Sequence, residues 1–265
     1  WKLPSSRFTD SSKVTLRRLL SHSAGLTVWG FPGYHVDSVL PTVPQILDGA
    51  KPANTRAVRS DTQPAARWLY SGGGITIAQL AATDVTGETF PALLQRLVLT
   101  PLRMSRSSYE NPIAARLATN AASGHERPDS VVNGKWHVYP EMAAAGLWTT
   151  ASDLARWGIS VMNAYHGETG GVLSPIMTRE MLRPQTALPR SGQPAAPPGT
   201  WWGLGVQLRG SGRDFTFSHG GRDEGFVAQV AFMPERRTGI VILTNGTNGA
   251  FLAAVMRAFS DEFQK

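Results

Sequence analysis

Four short segments hold most of the residues that could do chemistry in this chain. Residues 14–26 carry Ser21, His22 and Ser23 just before Gly25. Trp68-Leu69-Tyr70-Ser71-Gly72-Gly73-Gly74 sets a phenol and a hydroxyl beside three glycines. Residues 145–155 contain Gly146-Leu147-Trp148-Thr149-Thr150 and then Asp153. Ser218-His219-Gly220-Gly221-Arg222-Asp223-Glu224-Gly225-Phe226 combines an imidazole with bare backbone and charge, and Leu243-Thr244-Asn245 follows. Phenols and imidazoles can pass protons to and from a reacting group, and glycine backbone lets another group come close. Other chemistries are excluded by their missing signatures. The chain has no G-x-S-x-G elbow, P-loop, H-E-x-x-H or dinucleotide fingerprint. It also has no cysteine, which removes disulfides, thiolate catalysis and cysteine metal sites together.

The elements that must position these segments follow from periodicity and punctuation. Thr15 opens a helix with Leu16, Leu19 and Leu20 on one face, and Thr42 caps a short helix ending at Gly49. Ile75, Ala78, Leu80, Ala81 and Val85 predict a helix stopping at Gly87. Thr89 opens another, closed by Pro101. Residues 121–139 read as irregular strands and loops. Thr150 opens a strong helix with Leu154, Trp157, Ile159, Val161 and Met162 on its apolar side, and Ser174-Pro175 starts the next. A proline-rich, mobile stretch is expected over 184–199. Strands are then expected over 202–208, 214–218, 226–233 and 239–245, the last two joined as a hairpin, before a closing helix over 250–263. Helices and loops first, antiparallel strands last, predict an α+β fold, with residues 1–200 mainly helical and 201–265 forming sheet and final helix. The seam between the two is the expected place for a pocket. The charge of +7 is scattered, its tightest groups being pairs such as Arg17-Arg18 and Arg236-Arg237. No clustered patch for nucleic acid results. No apolar run reaches the length of a membrane-spanning helix. The first residue is Trp1, so no signal peptide can be read.

In order and spacing, the four segments resemble the serine β-lactamase and penicillin-binding protein family, in its class C, esterase and D-alanyl carboxypeptidase branch. The resemblance runs almost end to end, and Pro101-Leu102-Arg103-Met104 is similar to the family's helix-ending Pro-Leu-Gly-Met. It implies a β-lactamase/transpeptidase-like fold, antiparallel sheet flanked by helices beside a mainly helical region. It also implies hydrolysis of an ester, amide or D-alanyl peptide through an acyl-serine, with no metal or organic cofactor. Tyr70 then matches the Tyr of the family's Tyr-x-Asn loop, a proton shuttle whose phenol ionises partly beside a cationic lysine. The alternative is a core tyrosine with a satisfied hydroxyl. Ser71 and Gly72 fall in the same substrate-binding loop. His219 matches the Lys-Thr-Gly or His-x-Gly strand motif and would contact the substrate or the Tyr oxygen, the alternative being a solvated strand-end histidine. The Arg222 backbone N–H is expected at the developing oxyanion, and Gly220 and Gly221 leave room for the acyl group. His22 and Ser23 are expected to be structural, and Asp153 to support the first turn of its helix. Trp136, His137, Tyr139 and Glu141 are candidates for a pocket wall.

Two departures from the family pattern stand out. No lysine follows a serine by three positions: Lys13, Lys51, Lys135 and Lys265 follow Asp10, Asp48, Val132 and Glu262. The family's S-x-x-K lies upstream of the segment at Val14. The nucleophile helix and first strands are therefore expected in an N-terminal segment or second chain outside this sequence, leaving the strand over 240–245 as an exposed edge. Gly72 also stands where the family has Asn, which argues against efficient β-lactam turnover. The alternative reading is a catalytically inactive, ligand-binding or truncated relative. A periplasmic or secreted setting is an expectation from the family only.

Overall fold

A computed structural model describes residues 1–9, 13–127, 129–189 and 196–263. The elements in chain order are α1 (Leu16–Leu20), α2 (Val43–Asp48), α3 (Gly72–Thr86), α4 (Phe90–Leu94, continued by one π-turn to Leu99), α5 (Ala115–Ala118), β1 (His125–Arg127) and β2 (Ser130–Val131). They continue with α6 (Met142–Ala145), α7 (Ala151–Tyr165), α8 (Pro175–Met181), β3 (Thr186–Ala187), β4 (Thr200–Trp202), β5 (Gln207–Arg209), β6 (Thr216–Asp223), β7 (Phe226–Met233), β8 (Thr238–Thr244) and α9 (Gly249–Phe263).

The helix starts obey local chemistry. The Thr15 hydroxyl accepts from the Arg18 N–H, Thr42 forms a capping box with Gln45, and Ser174 accepts from the Met177 N–H ahead of Pro175. Thr150 caps α7 by accepting from the Asp153 N–H. The Asp153 carboxylate does more than charge that turn. It is fully buried and accepts from the Arg106 N–H at 2.8 Å and the Ser107 hydroxyl at 2.9 Å, and it pairs with Arg156.

The six strands β3 to β8 pair antiparallel in strict chain order, one meander. Strands β7 and β8 appear where the sequence puts them. The strand expected over 202–208 is instead two, β4 and β5, because Gly203 and Gly205 turn the chain between them, Gly205 at φ +84°. The strand expected over 214–218 begins at Thr216 and runs on to Asp223. β3 forms inside the proline-rich stretch, by pairing with β4. Residues 190–195 of that stretch lie outside the described residues. β8 has only β7 as a strand neighbour among the described residues, so its outer edge carries no strand.

Two hydrophobic cores result. One gathers Val161 and Met162 of α7 with Leu182, Leu208, Phe217, Val230 and Phe232, against the helix-covered face of the sheet. The other holds Leu19, Leu26, Val28, Leu47 and Val58 against Ile77, Ala78 and Leu80 of α3. Ile159, expected on the apolar side of α7, is half exposed, since the stripe Leu154, Trp157, Val161, Met162 turns it to the other side. At the α7–β7 contact, a Cβ on Gly158 would sit 2.0 Å from the Phe232 ring, which is 2% exposed. Gly158→Ala is therefore expected to destabilise the protein by about 1–3 kcal/mol through overpacking. The control is Gly249→Ala, where a Cβ meets nothing within 4 Å. Equal urea midpoints for the two variants would show that the crossing is not as tight as the structure places it.

Candidate active site

Tyr70 reaches the site from the loop before α3. His22 holds this loop from three directions. Its backbone carbonyl accepts from the Leu69 N–H at 2.7 Å, its Nδ1 accepts from the Ser71 N–H at 3.2 Å, and its ring lies 4.0 Å from that of Tyr70. The residue is buried and adopts φ +51°, a conformation that histidine tolerates better than most side chains. Burial first, and His219 second, lower its pKa to about 3, so it is a neutral acceptor. Ser21 and Ser23 bond to each other at 2.8 Å, and among the described residues no serine hydroxyl bonds the His22 ring.

Ser71 and the three glycines are occupied with folding. The Ser71 hydroxyl donates to the Thr27 carbonyl at 2.7 Å and accepts from the Gly74 N–H at 2.9 Å, so it is the buried N-cap of α3 and does not line the cleft. The Gly72 and Gly73 N–H groups donate to the carbonyls of Trp29 and Val28, and a Cβ on Gly73 would lie 2.6 Å from Val58. Of residues 68–74, Trp68, Tyr70 and Gly72 line the cleft.

Tyr70 is ringed by Trp29, Trp68, Trp202 and His219, the last with centroids 6.5 Å apart. Its hydroxyl has no hydrogen-bond partner among the described residues. Burial pushes its pKa up, and burial pushes that of His219 down, so at neutral pH the pair is a phenol beside a neutral imidazole. The phenolate is expected beside a lysine, and among the described residues no lysine lines the cleft.

β6 supplies the opposite wall. Asp223 and Phe226 flank a two-residue turn, which makes them a hydrogen-bonded pair. Alternation then directs the backbone groups of 219, 221 and 223 at β7, and those of 218, 220 and 222 the other way. β5 pairs with β6 only as far as Ser218, so the Gly220 and Arg222 N–H groups face an open strand edge. A Cβ on Gly221 would touch only Ala228, at 3.9 Å, and one on Gly220 only the Gln229 side chain closely. The Arg222 side chain is exposed.

Together these walls enclose a cleft of about 960 Å³ between the helical region and the sheet. Further along, it is lined by Phe31, Trp136, Tyr139, Trp148 and Phe226. The sequence pointed to Trp136, His137 and Tyr139 as wall residues, and all three line the cleft. Glu141 does not. It is fully buried, neither carboxylate oxygen has a hydrogen-bond partner beyond its own residue among the described residues, and burial, with Asp223 adding to it, raises its pKa to about 7. Burial raises that of Asp223 to about 7 as well. Sequence reasoning missed this pair, because neither residue type nor spacing signals that two carboxyls from distant segments are both desolvated, one within reach of the other's charge.

The comparisons agree with this architecture. The Beta-lactamase family model matches residues 3–264, and the chain belongs to that family. Unguisins hydrolase ungD of Aspergillus violaceofuscus is 22% identical over 263 residues, covering 89% of this chain; the chain spans 44% of that protein's length. The octameric penicillin-binding protein homologue from Pyrococcus abyssi superposes with a TM-score of 0.75 at 19% identity, over 98% of this chain and 58% of that one. The D-amino acid amidase from Ochrobactrum anthropi SV3, complexed with L-phenylalanine amide, gives 0.67 at 19%, over 91% and 66%. The β-lactamase/transpeptidase-like fold expected from the motifs is the fold found, an antiparallel sheet flanked by helices.

Proposed function

We propose that this chain is the greater part of a serine hydrolase that cleaves an ester, amide or D-alanyl peptide through an acyl-serine, with the Ser-x-x-Lys nucleophile supplied from outside these 265 residues. The observation that carries the proposal is the convergence of Tyr70, His219 and the outward-facing Arg222 N–H on one cleft. Tyr70 passes the proton to the leaving group once a lysine stands beside it, and His219 contacts the substrate or the Tyr70 oxygen. The Arg222 N–H is one donor of the oxyanion hole, fixed before charge develops. Gly220 and Gly221 give the acyl group space, and Gly72 borders it. Residues 1–200 and 201–265 act as two regions of one β-lactamase-like domain, since both border that cleft. The relatives named as hydrolase and amidase support the reaction class, and a small acyl compound or cell-wall peptide is the substrate we favour. A periplasmic or secreted setting accords with it. Among the described residues no helix is long and apolar enough to cross a membrane.

A specific observation favours a second reading, a ligand-binding relative without activity: no S-x-x-K occurs in the chain. Fluorophosphonate labelling of the protein as its host produces it, followed by intact mass and peptide mapping, separates the two. The expected result is one adduct, on a serine outside these residues. A folded protein that takes no label, or takes it on Ser23 or Ser71, overturns the proposal.

A further inference from the structure

Three carboxyl groups gather at the far end of the cleft. Asp223 and Glu224 line the cleft at the tip of the β6–β7 hairpin, and the orphaned Glu141 lies behind them, near enough to Asp223 for the charge of one to act on the other. No Lys or Arg forms an ion pair with any of the three among the described residues. Arg222 also borders the cleft, but its side chain leaves β6 on the face opposite that of Asp223 and is exposed. Tyr139 adds no positive charge: its oxygen accepts from the Glu224 N–H at 2.9 Å. The chain has a net charge of +7, yet no ion pair to these carboxyls forms among the described residues. A desolvated carboxylate without a partner is unfavourable unless something binds there.

The surrounding rings say what fits. Phe226 stands directly opposite Asp223 across the hairpin, Trp148 meets Phe226 edge-on at 6.0 Å, and Trp136 meets Trp148 at 5.3 Å. Aromatic faces beside a carboxylate attract organic cations, through ring quadrupole and charge together. Asp223 is the next residue after Arg222, whose N–H faces the open edge where an acyl oxygen would lie. A cation held at Asp223 therefore sits within a residue's length of the position proposed for the carbonyl.

We propose that the corner formed by Asp223, Glu224, Tyr139, Trp148 and Phe226 is a subsite for a protonated amine of the substrate, close to the carbonyl that reacts. This rests on the hydrolase reading for the position of the carbonyl, but the subsite is tested by binding alone. Tryptophan fluorescence is titrated with phenethylamine, a cation at pH 8, and with N-acetylphenethylamine, its neutral counterpart. The amine is expected to bind at least about tenfold more tightly, a charge-assisted contact in a partly desolvated site. Asp223→Asn should abolish that preference and leave the affinity for the neutral compound unchanged; Glu224→Gln should reduce it less. Equal affinities in the unaltered protein, no binding of either compound, or a preference that survives Asp223→Asn each overturn the proposal. The comparison in the unaltered protein stands even if a variant fails to fold. Fluorophosphonate labelling is read separately, so a labelled serine with no amine preference removes the subsite and keeps the hydrolase, whereas an unlabelled protein removes the hydrolase.

Discussion

Tyr70→Phe is expected to slow acylation of a p-nitrophenyl ester by about 100-fold or more in the protein that carries its nucleophile, with KM and thermal midpoint nearly unchanged. The substitution removes one hydroxyl, and that hydroxyl bonds to nothing among the described residues. The ring keeps its packing against His22 at 4.0 Å, Trp29 at 5.5 Å and Trp202 at 5.7 Å. A structural role for the phenol would therefore leave the rate alone, whereas a positioned proton carrier contributes roughly 10²–10⁴-fold. The protonation state matters to the argument. Burial holds the free phenol neutral, and the imidazoles nearest to it are neutral too. The ionised form thus depends on a cation brought to the site, and the loss on Tyr70→Phe should be largest where that cation is present. Single-turnover rates measure it; a change below threefold would rule Tyr70 out as the shuttle.

How much of this was legible beforehand depends on how local the cause is. β7 and α7 could be read nearly to the residue. The first is an apolar run, interrupted only by Gln229, between two turns. The second starts at a threonine whose hydroxyl accepts from the third N–H, with an apolar stripe behind it. β3 was not legible, because two residues form a strand only when β4 is there to pair with them. The β4–β5 turn was legible in principle, from Gly203 and Gly205, but the apolar residues around them hid it. At the site, the motif order led to Tyr70 and His219, which the fold brings to one cleft. The same motif misdirected attention to Ser71. Its hydroxyl is consumed by a helix cap, and glycines that look like room for a ligand make room for Val28, Trp29 and Val58. Burial of Glu141 and Asp223 is a property of the assembled walls, so no window of sequence contains it.

That burial makes the pair a source of pH-dependent instability. Glu141 has its pKa raised from 4.5 to about 7, by burial above all, and among the described residues its carboxylate finds no partner outside its own residue. The folded protein therefore holds a proton that the unfolded chain releases near pH 4.5. Through this group stability is greatest below that pH, falls as the pH rises to about 7, and stays reduced above it. The lost stability amounts to roughly 3 kcal/mol when Glu141 is fully ionised. Glutamine keeps the shape and removes the charge. Glu141→Gln is accordingly expected to raise the thermal midpoint at pH 8.5 by about 5 °C or more, and to change it little at pH 4.5. Asp223, raised to about 7 by the same cause, should act in the same direction, and the double variant should gain less than the sum, because each charge worsens the other's burial. Thermal scans of both variants across pH 4.5 to 8.5 provide the measurement. A Glu141→Gln protein that is less stable than the parent at pH 8.5 would mean that the carboxylate has a partner in solution, and a bound cation in this corner would be the first candidate.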